Sequence, residues 1–198
     1  MSQARRLSAR LCTIVLIGIV LCSAILVDRA RLPSIDPGVV GLQPGDIIFV
    51  DIYQGWCHAC YWDHMAIYVG EQSGDSGRYS SAVVEATYNV GIARTPVREF
   101  LKRDEPAEMA VRRLADMTNR GEVIQKAIDY ALAQLGKPFD FTATATVPGK
   151  VNEDNLHCAE LIWRAFKAGG IELDCNDGML AYPDDIYYSP RLRPVEPL

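Results

Sequence analysis

The chain has 198 residues, of which 49% are hydrophobic and 23% are charged, as in an ordinary globular protein. This length suits one domain with an appendage and is sufficient to bury a core. The net charge is −5, and three arginines among the first 27 residues, where there is no acid, leave −8 on the rest. Nucleic-acid binding is disfavoured because it requires a basic face.

The N-terminal segment has the pattern of an export signal. Its three arginines precede an uncharged run of 17 residues, 11–27, which is longer than a usual signal-peptide core and shorter than a full membrane span. The arginine excess predicts that the N-terminus stays in the cytoplasm and the rest is exported. We expect a signal peptide or membrane anchor over 1–32, a linker over 33–40 and a domain over 41–198, in the periplasm or cell envelope.

Several short apolar segments of the domain are typical of β-strands. The segment 65–69 is apolar on both faces, which predicts a central strand. The predicted strands are 47–50, 65–69, 82–87, 90–94 and 109–114.

Two longer segments have helical patterns. Apolar residues recur at helical spacing over 122–135, followed by Gly136, and again over 158–168, followed by two glycines. A short helical turn is expected over 96–101, and the charged run 98–108 is most simply a solvated face. Short strands and a few helices without regular alternation predict an α+β domain.

Three residues on these elements suggest nucleophilic catalysis. Cys158 begins the second helix, whose N-terminus stabilises a thiolate, with Asp154 or Asn155 as candidate caps. His64 begins the central strand and could act as the base. Glu85 interrupts an apolar strand, and because a buried carboxylate needs a partner, we expect it to orient the imidazole.

Each of these residues also has a structural interpretation. Free cysteine is among the most buried residue types, so Cys158 could simply belong to the apolar stripe of its helix. His64 could be a hydrogen-bonded core residue. His157, next to the cysteine, is expected in a solvent-facing or capping role, since adjacent helical residues point in different directions.

Six segments in order resemble the NlpC-type branch of the papain-like superfamily, specifically its circularly permuted, YiiX- and YebB-like members related to lecithin retinol acyltransferase. The histidine strand precedes the cysteine helix in this branch. The similarity spans about residues 41 to 190. The matching segments are LQPGDIIF at 42–49, DHMAIYVG at 63–70, VVEA at 83–86, GKPFDF at 136–141, HCAELI at 157–162 and YPDDIY at 182–187.

The resemblance implies an antiparallel sheet with the cysteine helix packed against the histidine strand. It also implies that Cys158 is the nucleophile, His64 the general base and acid, and Glu85 the orienting residue. The implied reaction is cleavage of an amide bond through an acyl-thioester, on cell-wall peptides or acyl amides. One oxyanion donor would be the backbone N–H of Cys158, and Tyr53 or Gln54 are candidates for a second. No cofactor or metal is implied.

A second cysteine motif supports a competing function. Cys57-His58-Ala59-Cys60 resembles a thioredoxin active-site segment, and Thr95-Pro96 offers a candidate cis-proline. Against this, the motif leads into a predicted strand, whereas a thioredoxin motif opens a helix. A local disulfide and a zinc site that includes His64 are further alternatives. A catalytically silent binding domain also stays open.

One further cysteine, Cys175, lies near the C-terminus. Cys175 is in an acidic turn, which disfavours its thiolate, and it could be unpaired or bonded to Cys57 or Cys60.

Overall fold

The computed structural model describes residues 41–52, 60–73, 79–103, 108–142, 149–151 and 153–195. The predicted signal or anchor over 1–32 and the linker over 33–40 lie outside these residues. Within the described ranges, no helix is long and apolar enough to cross a membrane.

The strands form one six-stranded antiparallel sheet, which confirms the predicted fold class. The order across the sheet is β4-β3-β2-β1-β5-β6, so β2 is internal, as the apolar pattern of 65–69 predicts. The strands are β1 Ile47–Asp51, β2 His64–Ser73, β3 Tyr79–Thr87, β4 Gly91–Pro96, β5 Glu108–Leu114 and β6 Leu192–Pro194.

The helices are α1 Val97–Arg103, α2 Arg120–Ala133, α3 Cys158–Ala168 and α4 Pro183–Tyr187, with a short 3₁₀ helix at Gly149–Val151. The helix α3 has the predicted bounds. Its apolar stripe is buried, and it packs against α2 and also against β2 and β3. The resemblance implied this contact between the cysteine helix and the histidine strand.

One apolar cluster attaches α1 to the sheet. Phe100, at the centre of α1, is 3% exposed and lies among alternate residues of the strands. Side chains alternate between the faces of a strand, so α1 covers the same face as Ala66 and Tyr68 of β2. The cluster consists of Ile48, Val50, Ala66, Tyr68, Val83, Phe100, Met109, Val111 and Val195.

Candidate active site

The start of β2 and the end of β3 place His64 beside Glu85. In the antiparallel register, Glu85 lies opposite Ala66, two residues beyond His64, so both side chains lie on one face. Nε2 of His64 is 2.8 Å from Oε2 of Glu85. An ionised carboxylate only accepts hydrogen bonds, so this nitrogen carries a proton and donates it.

Glu85 is fully buried and accepts hydrogen bonds from three side chains. Besides His64, Arg103 donates through Nη1 to Oε1 and through Nη2 to Oε2, each at 2.8 Å, and Thr95 Oγ1 donates to Oε1 at 2.6 Å. Burial raises the pKa of Glu85, but the hydrogen bonds from Arg103, His64 and Thr95 outweigh it and lower the pKa to about 2. The carboxylate is therefore ionised at neutral pH.

Arg103 and Thr95 are site residues that the sequence patterns missed. The charged run 98–108 was expected to be a solvated face, and the side chain of Arg103 is indeed 40% exposed, but its guanidinium also binds both oxygens of the buried Glu85. Local charge alone does not reveal this second role. Arg103 reaches Glu85 only because Phe100 packs α1 over the sheet.

Cys158 is the first residue of α3 and is 1% exposed. The helix cap is His157, whose Nδ1 accepts the Glu160 N–H at 3.4 Å, so the prediction of Asp154 or Asn155 as cap is wrong. His157 is fully buried, so of its two expected roles the structure shows the capping one. The backbone of His157 is extended, so its imidazole can accept a hydrogen bond from the first turn of the helix.

The thiol of Cys158 and the imidazole of His64 interact directly. Burial raises the pKa of the thiol, but hydrogen bonds with His157 and His64 lower it to about 6. Burial lowers the pKa of His64, but hydrogen bonds with Cys158 and Glu85 raise it to about 10. Because Nε2 of His64 binds Glu85, Nδ1 is the nitrogen left for the thiol. Both shifts, a lowered pKa of the thiol and a raised pKa of the imidazole, favour a thiolate and an imidazolium.

Backbone anchors hold the chain where it enters β2. The carboxylate of Asp184 accepts the N–H groups of Tyr61 and Trp62 at 2.8 and 2.9 Å. Asp63 accepts the N–H of Ile52 at 2.9 Å. These bonds connect the residues just before His64 to α4 and to the end of β1. They fix the position from which the imidazole projects.

The other described cysteines, Cys60 and Cys175, differ from Cys158 in bonding and in exposure respectively. Cys60 is disulfide-bonded, so its sulfur is not a thiolate available to zinc in this structure. Cys57 lies outside the described residues. Cys175 is an exposed free thiol, and burial together with the charges of Asp185 and Asp174 raises its pKa, as its acidic turn predicts.

Two features of a thioredoxin site do not occur in the described part of the chain. The residues after Cys60 enter the strand β2 and not a helix. Pro96, the candidate cis-proline, ends β4 opposite Ala82, and no described peptide bond is cis. The described residues around Cys60 and Pro96 thus lack two structural features of a thioredoxin site.

An antiparallel sheet with the histidine strand before the cysteine helix is the architecture of a permuted papain-like protein. The family described as permuted papain-like amidase enzymes, YaeF/YiiX, C92 family, matches residues 41–179. The chain belongs to this family.

Structural comparison agrees on the fold. A crystal structure of yiiX from Escherichia coli O157:H7, described there as a metalloprotein, matches with a TM-score of 0.57 and 21% identity. The match covers 79% of this chain and 97% of that one. Comparison with curated proteins finds no significant match.

Within the described ranges, no three His, Cys, Asp or Glu side chains are grouped so that they could hold a metal ion.

Proposed function

We propose that this chain is a cysteine amidase in which Cys158 is the nucleophile, His64 the general base and acid, and Glu85 the residue that orients His64. The observation that carries the proposal is the chain of side-chain hydrogen bonds from Glu85 to His64 to Cys158. Membership of an amidase family supports the reaction type. A buried thiol with a pKa of about 6 is suited to nucleophilic attack at neutral pH.

The geometry supports a two-step reaction. The thiolate of Cys158 attacks the amide carbonyl carbon, and the carbonyl electron pair moves onto the oxygen. As the tetrahedral intermediate collapses, the C–N bond breaks and the His64 imidazolium gives its proton to the leaving amine. The neutral imidazole then takes a proton from water, which attacks the acyl-thioester. The acid leaves, and the thiolate–imidazolium pair is restored.

Glu85 and Arg103 have different parts in this scheme. Glu85 accepts a hydrogen bond from Nε2–H of His64 and stays ionised, which leaves Nδ1 to exchange its proton with the sulfur and the leaving group. Arg103 and Thr95 keep the carboxylate ionised and fix its plane. The backbone N–H of Cys158 is the first oxyanion donor. Tyr53 and Gln54, the candidates for a second donor, lie outside the described residues.

We further propose that the enzyme is exported and acts in the periplasm or cell envelope, on cell-wall peptides or acyl amides. The support for export is the arginine-flanked apolar run at 11–27, which would either be removed or anchor the enzyme to the inner membrane. Substrates with amide bonds follow from the family's amidase description.

The first test compares Cys158 and Cys175, the free thiols among the described residues, within one full-length chain. Near pH 6.5, about three quarters of Cys158 would be thiolate at its pKa of about 6, but less than about 0.3% of Cys175. A thiolate of lower basicity is intrinsically about twentyfold less nucleophilic over this interval. Iodoacetamide should therefore label Cys158 about tenfold faster, as read by mass spectrometry, although Cys158 is the buried thiol.

The second test is turnover. Cys158→Ser and His64→Ala should each abolish hydrolysis of acyl p-nitroanilides, whereas Cys175→Ser, the matched control, should leave it unchanged. Faster labelling of Cys175, or hydrolysis that survives Cys158→Ser, would contradict the proposal. Insulin reduction that persists in Cys158→Ser would favour redox chemistry at Cys60. A reactive thiol without turnover of any amide would favour a silent binding domain.

A further inference from the structure

Beside the candidate nucleophile lies an exposed group of aromatic side chains, here called the aromatic rim: Tyr88, Phe139 and Phe141. Ring centroids are 4.6 Å apart for Tyr88 and Phe139, 5.0 Å for Phe139 and Phe141, and 5.6 Å for Tyr88 and Phe141. Phe139 is buried, whereas Tyr88 is 41% and Phe141 68% exposed. Large apolar side chains exposed as a contiguous group commonly mark a binding site.

Backbone hydrogen bonds connect the rim to the cysteine helix. The N–H of Asp140 donates to the carbonyl of Leu156, and the N–H of Leu156 donates to the carbonyl of Pro138, both at 3.3 Å. Leu156 is two residues before Cys158. The segment that carries Phe139 therefore runs alongside the chain that enters α3.

Further contacts connect the rim to the strand that carries Glu85. Tyr88 directly follows β3, three residues after Glu85, and the N–H of Ile92, on the neighbouring strand β4, donates to the Lys137 carbonyl at 2.8 Å. Burial, followed by the negative charges of Cys158 and Asp63, raises the pKa of Tyr88 to about 12, which agrees with a phenol close to the thiolate. The rim is thus adjacent to the place where an acyl group would be attached.

The chemistry of the rim suits an uncharged apolar group. Asp140 is 3% exposed, and its carboxylate accepts hydrogen bonds from the N–H and Oγ1 of Thr142, both at 2.7 Å. Arg103 is bound to Glu85. The rim itself has one polar side-chain atom, the hydroxyl of Tyr88, whereas a peptide needs partners for each backbone amide.

We propose that the aromatic rim binds the acyl chain of the substrate, so that the enzyme prefers medium- and long-chain acyl amides and esters to acetyl ones. The inference rests on the proposed function, because the chain on the rim is the one that becomes bonded to Cys158. It selects acyl amides over cell-wall peptides as the substrate class.

The test uses p-nitrophenyl esters from acetyl to decanoyl with the full-length enzyme. The leaving group is constant, so the change in kcat/KM reports on the acyl chain alone. Each methylene that leaves water for the rim should raise kcat/KM roughly two- to fourfold until the rim is filled. Phe141→Ala should flatten this dependence, so that kcat/KM falls much more for the decanoyl ester than for the acetyl ester, and Phe141→Leu should retain part of it.

Two controls separate the rim from general effects. Met117 is 37% exposed and follows β5 at the opposite end of the sheet from His64, so Met117→Ala should keep the full dependence. Tyr88→Phe keeps the ring and removes the hydroxyl, and should also keep it. Decanamide, but not acetamide, should slow the alkylation of Cys158, and Phe141→Ala should remove this protection. This last measurement does not need turnover.

The outcomes are distinguishable. Hydrolysis that depends on Cys158 but not on chain length, together with no protection by decanamide, overturns the inference and leaves the proposed function intact. Preference for an acetyl-dipeptide p-nitroanilide over the decanoyl p-nitroanilide also overturns it and points to peptides. If no ester or amide is turned over through Cys158, the proposed function fails and the inference fails with it.

Discussion

Replacing Glu85 by glutamine tests whether the buried carboxylate holds the site together. The substitution keeps the shape of the side chain and removes its charge. The glutamine amide can still accept one hydrogen bond through its oxygen, but its NH₂ group would face the donors of Arg103, His64 or Thr95. At least one donor beside this fully buried position would then have no acceptor.

The expected magnitude follows from the pKa of Glu85. The pKa falls from 4.5 to about 2 on folding, which corresponds to about 3 kcal/mol of stability at neutral pH. Breaking a buried ion pair by removing one partner costs roughly 3–5 kcal/mol, in the same range. Glu85→Gln should therefore lower the free energy of unfolding by about 3 kcal/mol or more.

The pH dependence has a definite sign. A carboxylate whose pKa is lowered in the folded state contributes fully above its unfolded pKa of 4.5 and loses this contribution as the pH falls towards 2. The free energy of unfolding of the native protein should thus fall between pH 4.5 and about pH 2. In Glu85→Gln, which lacks this carboxylate, the fall should be about 3 kcal/mol smaller.

The assay is urea unfolding followed by tryptophan fluorescence, near pH 7 and at steps below pH 5. Thr95→Val is the matched control, because it removes one hydrogen bond to the same carboxylate and leaves the charge, at a cost of about 1–2 kcal/mol. A Glu85→Gln variant within about 1 kcal/mol of the native protein at neutral pH, or with the same loss of stability in acid, would refute the reasoning.

Two further predictions concern catalysis and packing. The kcat/KM for amide hydrolysis should rise through about pH 6, as Cys158 loses its proton, and fall through about pH 10, as the His64 imidazolium loses its own; a single rise near pH 9 would contradict the ion pair. Gly91→Ala should lower the free energy of unfolding, measured in urea, by at least about 2 kcal/mol. The reason is that φ is +78° at this residue and that a Cβ would collide with the carbonyl oxygen of Lys137. Gly136→Ala, with φ +85° and nothing within 4 Å of its Cβ, should cost only about 1 kcal/mol, and equal losses for the two glycines would show that the close approach is unimportant.

Much of the fold could be predicted from local patterns. The bounds of α3 follow from an apolar stripe that two glycines end, and the apolar pattern on both faces of 65–69 predicts that β2 is inside the sheet. The strand β6, three residues long, and the five-residue helix α4 were missed. Segments of this length have too few residues to show a periodicity, and their neighbours in the tertiary structure stabilise them.

The residues of the candidate site likewise fall into those that local patterns predict and those that only the tertiary structure reveals. Sequence alone predicted three of its residues, because a carboxylate in an apolar strand requires a partner and a helix N-terminus favours the thiolate of a cysteine. Their catalytic roles stay a prediction. Only the tertiary structure showed that Arg103 and Thr95 complete the environment of Glu85 and that His157 caps the cysteine helix. The physical reason is distance along the chain. Periodicity reports which face of an element is buried, but the partner of a buried charge depends on strand register and helix packing, which no local pattern contains.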